Sequence, residues 1–305
     1  MTIQRSATGA NFDSVFEPAQ PGRAAKLNIQ LKVTLLPFDP KAFKLPPLLP
    51  EDFARSRMTH LAWTDAEVRH GLAYVPMSRP VPCKSWLVPA WEAFKVRFKK
   101  MVELSWNNQM LLLPVDGGGN QLSDADYRQL IGNPKLQAHV QLGLAIEIMP
   151  GEREGNAVLS VANLEDASPY LPENMTMISN RSVEFLKTTD VDFPEWSTQQ
   201  IPAAHEIGHW LRSANGKDLD HIDLKYALKH GTGFFDIKAY GRNLSRKAAL
   251  MGGGNLFTAY EAGPWLERIK QHIPAQQGWT PIHRIDFGKI MSDLSDRQKR
   301  LLATP

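Results

Sequence analysis

Two histidines four residues apart, His205 and His209, are the feature of this 305-residue chain that most restricts its fold. Side chains at positions i and i+4 of an α-helix project from one face, one turn apart. Both imidazoles can therefore reach one metal ion, and Glu206 lies between them in the sequence. Because zinc binds histidine nitrogen and lowers the pKa of a bound water, a neighbouring carboxylate can take that proton. The spacing predicts a metal-binding helix.

The residues around this pair favour a helix that is buried along one side. Ser197 and Thr198 precede the segment and are expected to cap its N-terminus, while Pro202 falls in the first turn, where its missing N–H matters least. Apolar residues then recur at helical spacing, namely Ala203, Ile207, Trp210 and Leu211. Such a stripe packs against a core, so we expect the histidine pair on a half-buried helix.

Composition restricts the partners of this chain. Of its residues 43% are apolar and 22% are charged, as in soluble globular proteins, and the length suits one large domain or two small ones. The formal net charge of +3 gives no reason to expect nucleic acid as a partner. No apolar run approaches the roughly 18 residues that a membrane span needs. We therefore expect neither a nucleic-acid partner nor a membrane span.

The start of the chain and its cysteine content bear on where the protein works. Residues 1–6 lack the apolar core of a signal peptide, and the lone cysteine, Cys83, excludes an internal disulfide framework. We expect a protein that is cytoplasmic as synthesised or is secreted by a signal-peptide-independent route, as a bacterial effector carried by a secretion machine would be. A loop thiolate can also plug the open position of a zinc site, and Cys83 is a candidate for that latency role.

Hydrophobic periodicity predicts a sheet and several helices. Residues 27–35 and 140–148 alternate apolar side chains with polar or small ones, the pattern of strands with one wet face. Residues 89–106 instead place apolar side chains at helical spacing, with charged side chains opposite. Further strands are predicted at 110–113, 157–161 and 175–178, and further helices at 123–131, 224–229, 245–250 and 263–272.

The order of these elements predicts an α/β protein, in the broad sense that includes α+β folds. We expect a twisted mixed sheet covered by the long helix and by the helix of the histidine pair. Residues 1–24 are polar and rich in Gly, Ser and Pro, so they are expected to form an arm. Residues 25–211 would form the sheet and helix subdomain, and residues 212–305 a strand-poor C-terminal subdomain.

A third metal ligand is expected downstream of the pair. A catalytic zinc ion takes three protein ligands and keeps a fourth position open, so another donor must follow His209. Asn215 and Gly216 tolerate the left-handed conformation that ends helices, and they are expected to stop the helix and turn the chain back. His221 is the first histidine beyond that stop. Other donors are available downstream: Asp220, Asp223, His230, Asp236 and Glu261.

Several segments together resemble the metzincin clan of zinc peptidases. They are His205-Glu206-x-x-His209, the break at 215–216, His221 followed by Ile222 and Asp223, Tyr240-Gly241, and the run 249–254 around Met251. Members of the clan have a third histidine just beyond the active-site helix, and a later tight turn that holds a methionine beneath the metal. Here the return to the third histidine is six residues longer than in the compact clan pattern.

The resemblance implies a zincin-like fold and a zinc-dependent endopeptidase that hydrolyses a protein or peptide substrate. The zinc ligands would be His205, His209 and His221. Glu206 would be the general base and acid, and Met251 the residue in the turn. Substrate would lie extended along an exposed sheet edge, for which we expect residues 157–161.

Other interpretations of the C-terminal part stay open. Residues 231–241 resemble a stretched form of the aspzincin segment, which would make Asp236 the third ligand, while a gluzincin-like arrangement would use Glu261. Tyr240 could donate a hydrogen bond to the oxyanion that forms when water attacks a peptide carbonyl. The glycines at 252–254 could cradle a phosphate through their N–H groups. The alternative from another class is a binding or assembly protein whose metal site is structural or absent.

Overall fold

The computed structural model of the chain describes residues 5–7, 11–20, 23–38, 72–73, 81–115, 139–151, 155–165, 177–189, 197–211, 219, 221–222, 229, 244–274 and 278–284. The strands are β1 (Arg5–Ala7), β2 (Asp13–Glu17), β3 (Ala25–Pro37), β4 (Leu72–Ala73), β5 (Val81–Pro82), β6 (Met110–Val115), β7 (Val140–Ile148), β8 (Ala157–Ala162), β9 (Met177–Ser179), β10 (Leu186–Thr189), β11 (Ser197–Gln200) and β12 (Gly278–His283). The helices are α1 (Val88–Trp106), α2 (Pro202–Gly208), α3 (Leu244–Lys247) and α4 (Gly263–His272). The expected α+β class is confirmed.

Strand β3 is the centre of the main sheet. The described strands follow the order β1-β2-β3-β7-β6-β12, and β8 joins at β3 with β9 beside it. Strand β3 pairs antiparallel with β2 and parallel with both β7 and β8. Its alternating apolar side chains are fully buried at Leu27, Ile29, Leu31 and Val33. Because the pairing with β7 sets Ile29 opposite Leu144, the apolar residues of both strands share the face that forms the core.

Helix α1 runs along one edge of β7. Strand β6 pairs with this edge at two positions only. Asn107 Nδ2 donates to the Leu144 carbonyl oxygen at 3.0 Å, and Asn107 Oδ1 accepts from the Leu144 N–H at 2.9 Å. One turn earlier on the helix, Glu103 Oε1 accepts from the Ile146 N–H at 2.8 Å. The side chains of Glu103 on α1 and of Asn107, its C-cap, thus bond backbone groups of β7 at positions where no described strand pairs on that side.

Trp106 and Trp265 link the helix of the histidine pair to the rest of the core. Trp106, the last residue of α1, donates from Nε1 to the Ala204 carbonyl oxygen of α2 at 3.0 Å. Trp265 of α4 donates from Nε1 to the Gly143 carbonyl oxygen of β7 at 2.9 Å. Their rings stack with centroids 5.8 Å apart, and both side chains are fully buried. The histidine helix is therefore held against α1, which in turn packs on α4 through the two tryptophans in one core.

Both ends of the described chain add strands that the sequence did not predict. The prediction that residues 1–24 form an arm is wrong for β1 and β2, because β2 pairs with β3 along five positions. Ser14 Oγ lies 3.0 Å from His272 Nε2, which ties β2 to α4. In the part expected to be poor in strands, β12 pairs antiparallel with β6 from Gly278 to His283. These strands are short, and β12 contains Pro281, so local periodicity gave no signal for them.

Comparison of the other predicted elements with the fold gives mixed results. The strands predicted at 27–35, 110–113, 140–148 and 157–161 and the helices at 89–106 and 263–272 are confirmed, with small changes at their ends. The expected substrate edge at 157–161 is occupied in part, because β9 pairs with β8 from Ser160 to Ala162, while among the described residues no strand pairs with 157–159 on that side. The predicted helix at 245–250 is the single turn α3. Predicted helices at 123–131 and, apart from Lys229, 224–229 lie outside the described residues. No described helix is long and apolar enough to span a membrane.

Candidate metal centre

Helix α2 carries His205, and His209 is its C-cap residue on the same face. It begins directly after Ile201, which is extended and provides no side-chain cap, and Pro202 occupies the first helical position. Ser197 and Thr198 lie in β11, so the prediction that they cap the helix is wrong. The helix ends at Gly208, well before the predicted stop at 215–216, but His209 keeps helical angles of φ −62° and ψ −22°. The rings of the two histidines therefore lie 5.1 Å apart between centroids.

His221 completes a cluster of three imidazoles. Its ring centroid lies 5.1 Å from that of His205 and 5.0 Å from that of His209. Each residue offers one ligand nitrogen, and these three atoms all lie within 4.8 Å of one another. Among the described residues, this is the group of His, Cys, Asp and Glu side chains that could hold a metal ion. The chain thus brings together three donors that are spread over 16 positions of the sequence, from His205 to His221.

Backbone carbonyl oxygens orient two of the rings. His205 Nδ1 lies 2.8 Å from the Leu250 carbonyl oxygen, and His209 Nδ1 lies 2.9 Å from that of Leu219. Because a carbonyl oxygen can only accept, each Nδ1 must carry the proton and donate it. The lone pair of each ring is then on Nε2, which is the nitrogen left for a metal. The carbonyls therefore select the metal-binding tautomer.

Burial keeps these histidines uncharged. Desolvation is the main cause that lowers the pKa of His205 to about 3, that of His209 to about 4 and that of His221 to about 2. Repulsion from the other histidines lowers the pKa of His205 and His221 further. A neutral imidazole is the form that binds metal. At neutral pH the cluster offers three neutral nitrogen donors.

Met251 lies directly against the histidine helix. It is fully buried, and its carbonyl oxygen accepts the N–H of Ile222, the residue after His221, at 3.0 Å. A Cβ atom added at Gly208 would lie only 2.2 Å from Met251 Sδ, so the missing side chain of Gly208 makes room for the methionine. The expected methionine turn therefore connects α2 with the segment that carries the third histidine.

The three glycines after Met251 shape this turn. The N–H groups of Gly252 and Gly254 donate to the Ala249 carbonyl oxygen, and that of Gly253 donates to the Lys247 carbonyl oxygen. The hypothesis of a phosphate cradle is wrong, because these N–H groups are used within the turn. A Cβ at Gly254 would lie 2.1 Å from the Ala248 carbonyl oxygen, so only glycine fits there.

Glu261 supports the turn and is not among the residues of the histidine cluster. Its Oε1 accepts the N–H of Met251 at 3.0 Å, and its Oε2 accepts both the N–H and the hydroxyl of Thr258. The side chain is fully buried, and burial raises the pKa of its carboxyl group. The gluzincin-like assignment of Glu261 as third ligand therefore has no geometric support.

Of the other candidate residues, the structure describes Glu206 and Cys83. Glu206 lies on α2 between the paired histidines, and its side chain is 7% exposed. Cys83 is buried beside Leu164, and desolvation raises the pKa of its thiol to about 12. It is not in the cluster, so nothing supports the latency role. The remaining candidates lie outside the described residues, namely Asp220, Asp223, His230, Asp236 and Tyr240.

The sequence did not predict that Gln200 would lie beside His205. Gln200, the last residue of β11, places its amide nitrogen 3.0 Å from both His205 Nδ1 and the Gly252 carbonyl oxygen. It lies before the helix and shows no periodic pattern with it. Only its position two residues before Pro202 could have drawn attention to it.

Comparison of the chain with protein-family models, with curated proteins and with solved structures finds no match. The chemistry of this centre must therefore be inferred from its own atoms.

Proposed function

We propose that this protein is a zinc-dependent endopeptidase of metzincin-like type, with His205, His209 and His221 as the zinc ligands. The convergence of three neutral imidazoles on one point is the observation that supports it most strongly. Zinc is the metal that proteins most often bind through imidazole nitrogens at sites with one open position. The methionine turn packed beneath α2 is a second feature in common with that clan.

The donor set suits a catalytic ion better than a structural one. Structural zinc sites are closed by four protein ligands, whereas catalytic sites use three and leave one position for water or substrate. Among the described residues the cluster contains three donors. A zinc ion held there supplies polarisation of a carbonyl group and a lower pKa for water. A closed site, as the assembly-protein alternative needs, would require a fourth donor from outside the described residues.

Glu206 is assigned the proton transfers of hydrolysis. The carboxylate takes a proton from the water whose oxygen bonds to the peptide carbonyl carbon, and the carbonyl oxygen carries the negative charge. When the C–N bond breaks, the same side chain gives that proton to the leaving amine and returns to its charged form. Its place between two ligands on a buried helix supports this role. Tyr240 remains the proposed donor to the oxyanion, and Asp236 the alternative third ligand.

Replacement of Glu206 by glutamine tests the proposal. Zinc-loaded wild type should cleave members of a peptide library, with the products identified by mass spectrometry. Glu206→Gln should lower the cleavage rate by at least about 100-fold, because the amide cannot take the proton. Its zinc content should equal that of wild type. Glu92→Gln makes the same change at an exposed site on α1 and should cleave normally. Cleavage by Glu206→Gln at the wild-type rate, or none by zinc-loaded wild type, would contradict the proposed function.

A further inference from the structure

We infer that β11 holds the methionine turn in place and that Gln200 is a positioning residue for the ligand His205. The inference rests on the proposed zinc site. Thr198 and Gln200 are two residues apart on a strand, so their side chains project from the same face. Thr198 Oγ1 donates to the Gly253 carbonyl oxygen, and Gln200 Nε2 donates to that of Gly252 at 3.0 Å. One face of β11 thus holds two consecutive carbonyls of the turn.

The orientation of the Gln200 amide follows from its two neighbours. Its nitrogen lies 3.0 Å from the Gly252 carbonyl oxygen, so a flipped amide would set two acceptor oxygens against each other. In the structure the nitrogen faces that carbonyl and donates to it. His205 Nδ1, 3.0 Å away, already donates its proton to the Leu250 carbonyl oxygen. Gln200 consequently acts on His205 through the turn, because Gly252 lies two residues beyond Leu250.

Backbone hydrogen bonds within the turn hold the N–H groups of its glycines, and the two β11 side chains hold the carbonyl oxygens of Gly252 and Gly253. Gly252 and Gly253 have no side chains that could pack and fix them, and glycine backbones have wide conformational freedom. The Leu250 carbonyl, which selects the tautomer of His205, lies at the start of this glycine run. If the turn shifts, that carbonyl leaves Nδ1 and the ring loses its fixed direction. Partners of this kind typically change metal affinity by about 10–100-fold when they are removed.

Isosteric substitutions separate this role from a general effect on β11. Gln200→Met keeps the length of the side chain but removes its hydrogen bond, and Thr198→Val does the same at the second bond. Gln199→Met is the matched control, since Gln199 projects from the opposite face of the strand. Each full-length variant is loaded with Zn²⁺, and its affinity is measured by competition with a chromogenic chelator. The visible spectrum of the Co²⁺-substituted protein reports the geometry of the ligands.

Gln200→Met should weaken Zn²⁺ binding by about 10–100-fold and change the Co²⁺ spectrum. Thr198→Val should have a smaller effect in the same direction, because it acts on Gly253 alone. Gln199→Met should match wild type in both measurements. Thermal unfolding of the metal-free variants shows whether a loss of affinity merely follows a loss of stability.

The inference is overturned if Gln200→Met binds Zn²⁺ as wild type does and keeps the same Co²⁺ spectrum. It is also overturned if Gln199→Met loses as much affinity as Gln200→Met, or if only the stability of the metal-free protein changes. A wild type that binds no Zn²⁺ would overturn the proposed function as well, whereas normal binding by Gln200→Met affects the inference alone.

Discussion

At Gly208 the histidine helix packs tightly against Met251 of the methionine turn. A Cβ there would lie 2.2 Å from Met251 Sδ and 3.1 Å from the ring of Trp106. Both of these side chains are fully buried and have little room to move. The absence of a side chain at this one position therefore sets how closely the metal helix packs.

Gly208→Ala should destabilise the protein by about 1–3 kcal/mol, because the added methyl group overpacks a filled core. Urea unfolding of the metal-free protein measures the change. Gly263→Ala is the control, since a Cβ at Gly263 in α4 meets nothing within 4 Å. There the same substitution should be neutral or stabilising by up to about 1 kcal/mol. Equal stabilities for the two variants would show that the contact with Met251 is not tight.

The third ligand can be decided by metal content. His221 lies in the histidine cluster, whereas Asp236 is outside the described residues. Removal of one of three ligands should cost most of the bound zinc. We expect purified His221→Ala to lose zinc and Asp236→Ala to keep it, as measured by elemental analysis. Loss of zinc in Asp236→Ala alone would favour the aspzincin-like assignment.

At the scale of elements, α1 acts as a partner for the edge of β7. Asn107 bonds both backbone groups of Leu144, and Glu103 bonds the N–H of Ile146. Side chains on one face of a helix and backbone groups along a strand repeat at different distances, so they can bond to each other over a few residues only. Here Glu103 and Asn107 are one helical turn apart, and they meet alternate residues of β7.

Asn107→Ala should lower the free energy of unfolding by about 1–3 kcal/mol, because it leaves a backbone donor and acceptor unsatisfied. Chemical denaturation of the full chain measures this value. Lys100→Ala, at an exposed position on α1, should change stability by no more than about 0.5 kcal/mol. Similar values for both variants would mean that water replaces the lost bonds at β7.

At the scale of the whole molecule, the core joins segments from both ends of the described chain. Arg268 of α4 donates from Nη2 to the Phe12 carbonyl oxygen at 2.7 Å, and its guanidinium lies 4.7 Å from the Phe12 ring centroid. The histidine cluster is held by this same core, through Trp106 and Trp265. Protonation of the cluster should therefore affect the stability of the entire fold.

Metal-free protein should lose stability as the pH falls below about 6.5. The three histidines have pKa values of about 2 to 4 in the folded protein but an ordinary value of 6.5. Below that ordinary value the unfolded chain binds more protons than the folded one. Stability is thus complete above about pH 6.5 and declines as the pH approaches the folded pKa values. Urea unfolding at a series of pH values measures the slope.

The double variant His205→Asn/His209→Asn removes two of these groups, so its stability should depend less steeply on pH over the same range. A slope equal to that of the metal-free wild type would show that other groups cause the acid sensitivity. Bound zinc should shift the loss of stability to lower pH, because protons must first displace the metal.

Local features were readable from the sequence alone. The alternation around Leu27 to Leu35, the helical spacing of Phe94 and Phe98, and the four-residue step from His205 to His209 each depend on the geometry of one element. A period of 2 or 3.6 residues needs no knowledge of the rest of the chain. The α+β class and the helix of the histidine pair were therefore predictable.

Contacts between residues that are far apart in the sequence were decided by the tertiary structure. It brought His221 to the pair, and it placed the Leu250 carbonyl oxygen and the Gln200 amide beside His205 Nδ1. It also paired β12 with β6 and set β9 beside the end of β8, from Ser160 to Ala162. Strand pairing and backbone hydrogen bonds between loops leave no periodic trace in the sequence, since any residue has the same carbonyl group. The sequence by itself thus determined the first two imidazoles of the candidate metal centre, and only the packing of the whole chain brought His221 to them and set the orientation of the rings.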